Sequence, residues 1–314
     1  MKIITLTLNP AFDVHLELED FVPYKENYAK TSVKNAGGKG INISRALLSY
    51  GIKSKAMCIL GEGKEEFLSL LNKEGMEIFP FFAHGKIREN ITIHARGKET
   101  RISTEGFFVK KEMLDMLFLE IEKEADSGTI VTFTGRIPKG IENKDAACFL
   151  KKIKQTGAKV IVDSNSFTLN ELIDIKPFLI KPNEEEIAHL LGENVEDKNI
   201  LEETAVKLYK SGIENVLISL GADGFIYAGK SGNYNVKAPH ISPVSTIGAG
   251  DSTIAGFIAG IVQKKEFCEV LKLSSAFGSA ACLTQGTNPP TMSDILRLKK
   301  DVIIEKINEK EFVS

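Results

Sequence analysis

Toward its far end the chain reads Val244-Ser245-Thr246-Ile247-Gly248-Ala249-Gly250-Asp251-Ser252-Thr253, two glycines one residue apart and then an aspartate. Apolar residues follow at Ile254, Phe257, Ile258, Ile261 and Val262, the spacing of a buried helix face. Gly248, Ala249 and Gly250 therefore stand at a helix N-terminus, where unpaired N–H groups and the helix dipole favour negative charge. Such a hole can hold charge that builds on a transferring phosphoryl group. Asp251, in the same turn, can take the proton of an attacking hydroxyl. The same residues also read as a tight turn with a capping aspartate, so the other motifs have to decide.

A second glycine cluster, Asn35-Ala36-Gly37-Gly38-Lys39-Gly40-Ile41-Asn42, opens another helical stretch and has the geometry of an anion or polyol site. It matches neither the Walker A loop nor GxGxxG, and alone it reads as a surface turn. Polar clusters also close apolar runs: Thr134-Gly135-Arg136-Ile137-Pro138, Asp163-Ser164-Asn165, and Lys181-Pro182-Asn183-Glu184-Glu185-Glu186. In open α/β sheets ligands bind beyond the carboxyl ends of strands, where these clusters fall. Glu186 lies three residues after Asn183 on a starting helix, so both can face one site. Glu184 and Glu185 read as acids suited to the helix dipole.

The elements that must position these groups alternate. Helical patterns end on Gly51, Gly75, Gly157 and Gly212, as C-caps do. Strands are expected over 3–8, 56–60, 129–134, 159–163, 178–181 and 215–220. Nearly continuous apolar strands between helices predict an α/β fold, a mostly parallel sheet covered by helices on both faces. Two segments break the rhythm by strict alternation: 12–18, and 88–103 with a turn at Gly97-Lys98. They predict a small β-sheet projecting from the body, serving as a lid or as a dimer surface. A hairpin is expected with its tip near 229–233, and a small-residue-rich helix over 274–283 that Gln285-Gly286-Thr287-Asn288-Pro289-Pro290 breaks.

With 314 residues and 43% hydrophobic content, the chain can bury the core of one large domain or two ordinary ones. Its 40 basic and 42 acidic residues nearly cancel, which argues against a nucleic-acid or membrane surface. The apolar run at the start is too short for a signal peptide, and no stretch has transmembrane length. Cys58, Cys148, Cys268 and Cys282 are scattered among apolar neighbours and read as buried free thiols of a cytoplasmic protein, not as zinc ligands or disulfides. His15, His84, His94, His189 and His240 show no ligand spacing.

In combination the motifs resemble the PfkB (ribokinase-like) carbohydrate kinases along nearly the whole chain. The match rests on Gly37-Gly38-Lys39-Gly40-Ile41-Asn42, Lys181-Pro182-Asn183-x-x-Glu186, Ser219-x-Gly221-Ala222-Asp223-Gly224 and Thr246-Ile247-Gly248-Ala249-Gly250-Asp251-Ser252. Asn9-Pro10-Ala11-Phe12-Asp13, Lys39, Arg88-x-Asn90 and the stretch from Lys176 to Asn183 are similar to the phosphosugar branch, the 1-phosphofructokinases and tagatose-6-phosphate kinases. The resemblance implies a ribokinase-like body over 1–11, 36–86 and 109–314, with a discontinuous β lid over 12–35 and 87–108. It implies ATP-dependent phosphoryl transfer to a ketose monophosphate, fructose 1-phosphate before tagatose 6-phosphate or fructose 6-phosphate. A neutral-sugar or nucleoside kinase and a non-catalytic sensor are the more remote alternatives.

By resemblance, Asp251 is the catalytic base and Gly248, Ala249 and Gly250 form the anion hole. Asp13, Gly38 and Asn42 would hold sugar hydroxyls, Lys39 and Arg88 would clamp the substrate's phosphate, and Gly37, Asn90 and Arg136 belong to the same substrate set. Lys181, Asn183, Ser219, Gly221, Ala222, Gly224, Thr246, Gly250 and Asn288 would line the ATP site. Asn183 and Glu186 would hold Mg2+ through water, with a monovalent cation as a further candidate. The implied partners are small molecules and a second copy through the lid. One departure stands out: where the branch carries Ser-Gly-Ser before Leu-Pro, this chain has Thr134-Gly135-Arg136-Ile137-Pro138.

Overall fold

Residues Ile3 to Thr7 are buried on both faces, which only a central strand can be. In the computed structural model, which describes residues 1–192, 195 and 197–307, this segment is β1 (Lys2–Thr7). The chain then leaves the body for β2 (Ala11–Leu18) and β3 (Thr31–Gly37), and returns through α1 (Lys39–Ser49) to β4 (Lys55–Glu62), α2 (Lys64–Asn72) and β5 (Glu77–Lys86). It leaves again for β6 (Arg88–Ala95) and β7 (Lys98–Ser103). Then come α3 (Glu112–Glu122), β8 (Thr129–Thr134), α4 (Asn143–Gln155), β9 (Lys159–Asp163), α5 (Leu169–Ile175), β10 (Leu179–Ile180), α6 (Glu184–Leu191), α7 (Lys198–Lys210) and β11 (Asn215–Ser219). The hairpin β12 (Phe225–Gly229) and β13 (Gly232–Lys237), the helices α8 (Ala249–Val262), α9 (Phe267–Ala281) and α10 (Met292–Leu298), and β14 (Ile303–Lys306) finish the chain.

The large sheet has ten strands in the order β14-β13-β12-β11-β10-β9-β8-β1-β4-β5. It is parallel from β11 through β5 and antiparallel from β11 through β14. Alternation along each strand feeds two cores. Ile130, Ile161, Leu179 and Leu217 face one core with α1, α8 and α9; Val131, Val160, Val162, Ile180 and Val216 face the other with α3, α4 and α7. The α/β expectation, helices on both faces of a mostly parallel sheet, is met.

A separate four-stranded sheet, β3-β2-β6-β7, joins the two segments that leave the body. Its central pair, β2 and β6, is parallel with Asp13 opposite Asn90. The sequence reading gave no bounds for β3, β5 or β14. β3 is polar and shows its pairing only against β2. β5 contains Pro80, tolerated because the strand is an edge, and β14 is a mostly exposed edge strand in a charged tail. Pro177 and Pro182 shrink the expected 178–181 strand to Leu179–Ile180.

The cysteine reading needs correcting. Cys58 is buried, but Cys148 and Cys268 are exposed and Cys282 is half-buried. Sequence neighbours on a helix point in different directions, so apolar neighbours did not imply a buried thiol. Among the described residues, no helix is long and apolar enough to cross a membrane.

Candidate active site

The parallel strands β10, β9, β8 and β1 are neighbours, so their carboxyl ends bring the segments at Lys181, Asp163, Thr134 and Thr7 to one edge of the sheet. Helix α8 starts against the same edge. Gly248 is its N-cap, with φ of 80° in the left-handed region, a conformation that glycine adopts without strain. The Ser252 N–H donates to Gly248 O at 2.9 Å and closes the first helical turn. The N–H groups of Gly250 and Asp251, before it, stand at the open end of the helix.

Four charged groups converge there. Asp163, with a side chain only 2% exposed, is 2.9 Å from Lys39 Nζ and 3.7 Å from Lys181 Nζ. Lys181 lies under the α8 terminus: a Cβ at Gly250 would come within 3.0 Å of its Nζ. Asp251 Oδ2 accepts a hydrogen bond from Asn42 Nδ2 at 2.9 Å. Burial drives the Asp251 carboxyl up to about 6, helped by Asp163 and opposed by Lys39, Asn42 and Lys181. Burial also works to raise Asp163, but the ammonium groups of Lys181 and Lys39 outweigh it and hold that carboxyl below its usual range. Burial works against the Lys39 ammonium, yet Asp163 and Asp251 raise its pKa. The result is one firmly ionised carboxylate, Asp163, beside one near its titration point, Asp251.

The small sheet supplies the second wall. Asn90 Nδ2 donates to Asp13 Oδ1 at 2.9 Å, and Arg88 Nη1 and Ser103 Oγ donate to Asn90 Oδ1 at 3.1 and 3.0 Å. Asp13 is raised by burial against these favourable contacts. Gly37 is where the backbone must come close: an added Cβ would lie 2.0 Å from Asp13 Oδ2. Arg88 has Asp13 and Arg136 as its charged neighbours, the first favouring and the second disfavouring its charge, while burial lowers its pKa overall. Lys39 is thus placed with Asp163, and Arg88 with Arg136.

Along the other side, Asn183 and Glu186 form a reciprocal capping box at the start of α6. Glu186 N–H donates to Asn183 Oδ1 at 2.7 Å, and Asn183 N–H to Glu186 Oε2 at 3.0 Å. Asn183 also bridges to Ser219. Ser219 leads into the Gly221–Asp223 turn, which holds Ala222 exposed and closes at Gly224. Thr246 is exposed just before Gly248, and the turn at 285–288 that carries Asn288 lies against Gly248 through Thr287. Among the described residues no three His, Cys, Asp or Glu side chains converge on a metal position. The oxygen donors of Asn183 and Glu186 suit Mg2+, which keeps most of its waters and takes few protein ligands besides phosphate oxygens.

Asp163 belongs to the site although no motif placed it there. Its position at a strand end was the available signal. Arg45 and Glu74 were also missed; an arginine inside the apolar helix run Ile41-Asn42-Ile43-Ser44-Arg45-Ala46-Leu47 was the clue.

Known proteins similar to this chain are numerous. The model of the pfkB family of carbohydrate kinases matches residues 7–294. The chain is 31% identical over 284 residues to a 1-phosphofructokinase of Bacillus subtilis (strain 168), covering 90% of this chain and 93% of that one. It is 30% identical over 292 residues to a tagatose-6-phosphate kinase of Staphylococcus epidermidis, covering 91% and 93%. Among solved structures, phosphofructokinase-2 of Escherichia coli in complex with potassium superposes with a TM-score of 0.90 at 26% identity, across 95% of this chain and 98% of that one. The family match runs through both sheets and the α8 terminus, and the chain belongs to the pfkB family of carbohydrate kinases, enzymes that use ATP, generally with a divalent metal.

Proposed function

We propose that this chain transfers the γ-phosphoryl group of ATP to a ketose monophosphate, fructose 1-phosphate first, giving fructose 1,6-bisphosphate. The observation that carries the reading is Asp251, buried at the open end of α8 with its carboxyl at about 6. A carboxylate so poised takes the proton of the acceptor hydroxyl near neutral pH. The freed oxygen attacks the γ-phosphorus in line and ADP leaves. The Gly248 and Gly250 N–H groups and the Lys39 and Lys181 ammonium groups face the charge that spreads over the transferring oxygens, while the Ala249 N–H is engaged by Thr246 O at 3.4 Å. Bound Mg2+ would add charge neutralisation on the ATP oxygens, held through water by Asn183 and Glu186. Ser219, Gly221, Ala222, Gly224, Thr246 and Asn288 line the nucleotide side.

On the sugar side, Asp13, Gly37, Gly38 and Asn42 hold hydroxyls, with Asn90 fixing Asp13. Arg88 and Arg136 hold the phosphate already present, because two neighbouring guanidinium groups favour an anion between them. The small sheet closes over the acceptor and keeps water from ATP. It also forms a homodimer contact through exposed residues such as Val33. A monovalent cation is proposed by likeness to the potassium complex of the E. coli structure. Four free cysteines fit a cytoplasmic setting.

ADP release with Mg-ATP, measured against fructose 1-phosphate, tagatose 6-phosphate, fructose 6-phosphate, fructose, ribose and adenosine, tests this. A clear preference for one ketose phosphate is the expected outcome, and the tagatose-6-phosphate kinase relative makes that sugar the second choice. Turnover only on unphosphorylated acceptors overturns the arginine assignment. No turnover on any acceptor overturns the enzymatic reading in favour of a sensor.

A further inference from the structure

Behind Asn42 the buried Arg45 pairs with Glu74, whose side chain is one-third exposed, and neither residue belongs to the motifs that suggested the fold. Arg45 is 6% exposed. Its Nε and Nη2 donate to Glu74 Oε2 and Oε1 at 2.5 and 2.9 Å, a two-point fork. Its Nη2 also donates to the carbonyl of Ala36, at the root of the small sheet, at 2.8 Å. The remaining arm, Nη1, donates to Asn42 Oδ1 at 3.1 Å. Asn42 in turn donates from Nδ2 to Asp251 Oδ2 at 2.9 Å. The chain of contacts is therefore Glu74, Arg45, Asn42, Asp251, with every hydrogen-bond donor facing an acceptor.

An amide side chain has an oxygen end and an NH2 end of nearly the same shape. With nothing to distinguish them, Asn42 can turn its oxygen toward Asp251, where it repels an ionised carboxylate. The Arg45 guanidinium, a donor with no acceptor capacity, permits only the oxygen end on its own side. Glu74 fixes the guanidinium, and α1 carries Arg45 three residues after Asn42, on the same face.

We propose that Arg45, held by Glu74, is a positioning residue for phosphoryl transfer: it locks the Asn42 amide so that its NH2 binds one oxygen of Asp251 and leaves the other for the acceptor's proton. This rests on Asp251 being the base. The groups facing Asp251 are Asn42 and Lys39 from α1, Asp163 from the end of β9 and Lys181 beyond β10. The Asn42 hydrogen bond favours the ionised form of Asp251. Releasing Asn42 therefore raises the Asp251 pKa and moves the acid limb of kcat to higher pH. Arg45 also lies within electrostatic reach of Asp13, so its loss touches acceptor binding as well. KM for the acceptor and the pH profile of kcat are therefore read separately.

The experiment compares Arg45→Met, Arg45→Lys, Glu74→Gln, Asn42→Ala, the Arg45→Met/Asn42→Ala double variant and Asp251→Asn, each by kcat against pH at saturating ATP and acceptor. Arg45→Met is expected to lower kcat about tenfold or more, move the acid limb upward and leave KM for ATP within about twofold. Arg45→Lys restores part of the loss, because an ammonium can still donate to Asn42 but cannot fork Glu74. The double variant is expected to be no worse than Asn42→Ala alone. An acid limb that stays in place in Arg45→Met, or a double variant that loses the product of the two single effects, overturns the proposal. If Arg45→Met does not fold, Glu74→Gln, which keeps the guanidinium and its volume, must shift the limb the same way; an unmoved limb overturns it. Asp251→Asn separates the two readings. Turnover retained there removes the base assignment itself, whereas its loss beside an unmoved Arg45 series removes only the Arg45 proposal.

Discussion

For Asp251, the proposed base, one substitution tests activity and stability together. Asp251→Asn is expected to cut turnover by at least ~10²-fold with binding nearly intact; near-wild-type turnover would take Asp251 out of the mechanism. The same substitution should stabilise the fold at pH 7.5. Its carboxyl lies near 6 in the folded protein against the usual 3.8, so ionisation disfavours the folded state above that range. The gain, roughly 1–3 kcal/mol, should be present above about pH 6 and shrink as pH falls toward 4, as thermal melts of both proteins across pH can check. The wild-type kcat/KM profile should accordingly fall on the acid side with a midpoint near 6. Arg88→Ala should raise the acceptor KM far more than the ATP KM, and an unchanged acceptor KM would end its role as a phosphate ligand.

At the level of single elements, the capping of α6 and the Mg2+ role proposed for it can be separated. Asn183 and Glu186 cap the helix with each other's backbone N–H groups. Glu186→Gln keeps an oxygen for the Asn183 N–H, so the fold should keep its stability within about 0.5 kcal/mol. Loss of the carboxylate should nonetheless raise the Mg2+ concentration for half-maximal rate several-fold. A Mg2+ requirement equal to wild type would leave Glu186 as a cap alone. The β3–α1 junction makes the opposite point, since one atom there disturbs a whole face. Gly37→Ala drives a methyl into Asp13 Oδ2 and should raise the acceptor KM at least several-fold, at an overpacking cost of roughly 1–3 kcal/mol.

Across the whole molecule, the ten-stranded sheet collects site residues from positions more than two hundred apart, such as Asn42 and Asp251. The small sheet adds a wall that joins one core through Phe12 and Ala36 and keeps Val33 exposed. If that sheet is a homodimer contact, Val33→Asp should shift sedimentation from dimer to monomer while the folded chain remains intact. A wild-type protein that sediments as a monomer at micromolar concentration would dismiss the contact.

Local pattern alone placed the elements whose burial is periodic and whose ends are marked. β1, β8, β9 and the buried face of α8 were legible because their apolar spacing and glycine caps are properties of neighbouring residues. The proposed anion hole at the α8 start was legible for the same reason, because Gly248 and Gly250 lie on contiguous backbone; the Ala249 N–H instead donates to Thr246 O. Partners across the chain were not. β3 is a strand only because β2 lies beside it, and the exposure of Cys148 and Cys268 depends on which way their helices turn. The family resemblance casts Lys39 as a substrate-phosphate ligand, yet the fold sets it against Asp163, 124 residues away. The titration of Asp251 is likewise a tertiary property. It follows from dehydration by the packed core and from the charges of Lys39, Asp163 and Lys181, which only the strand order brings to one edge.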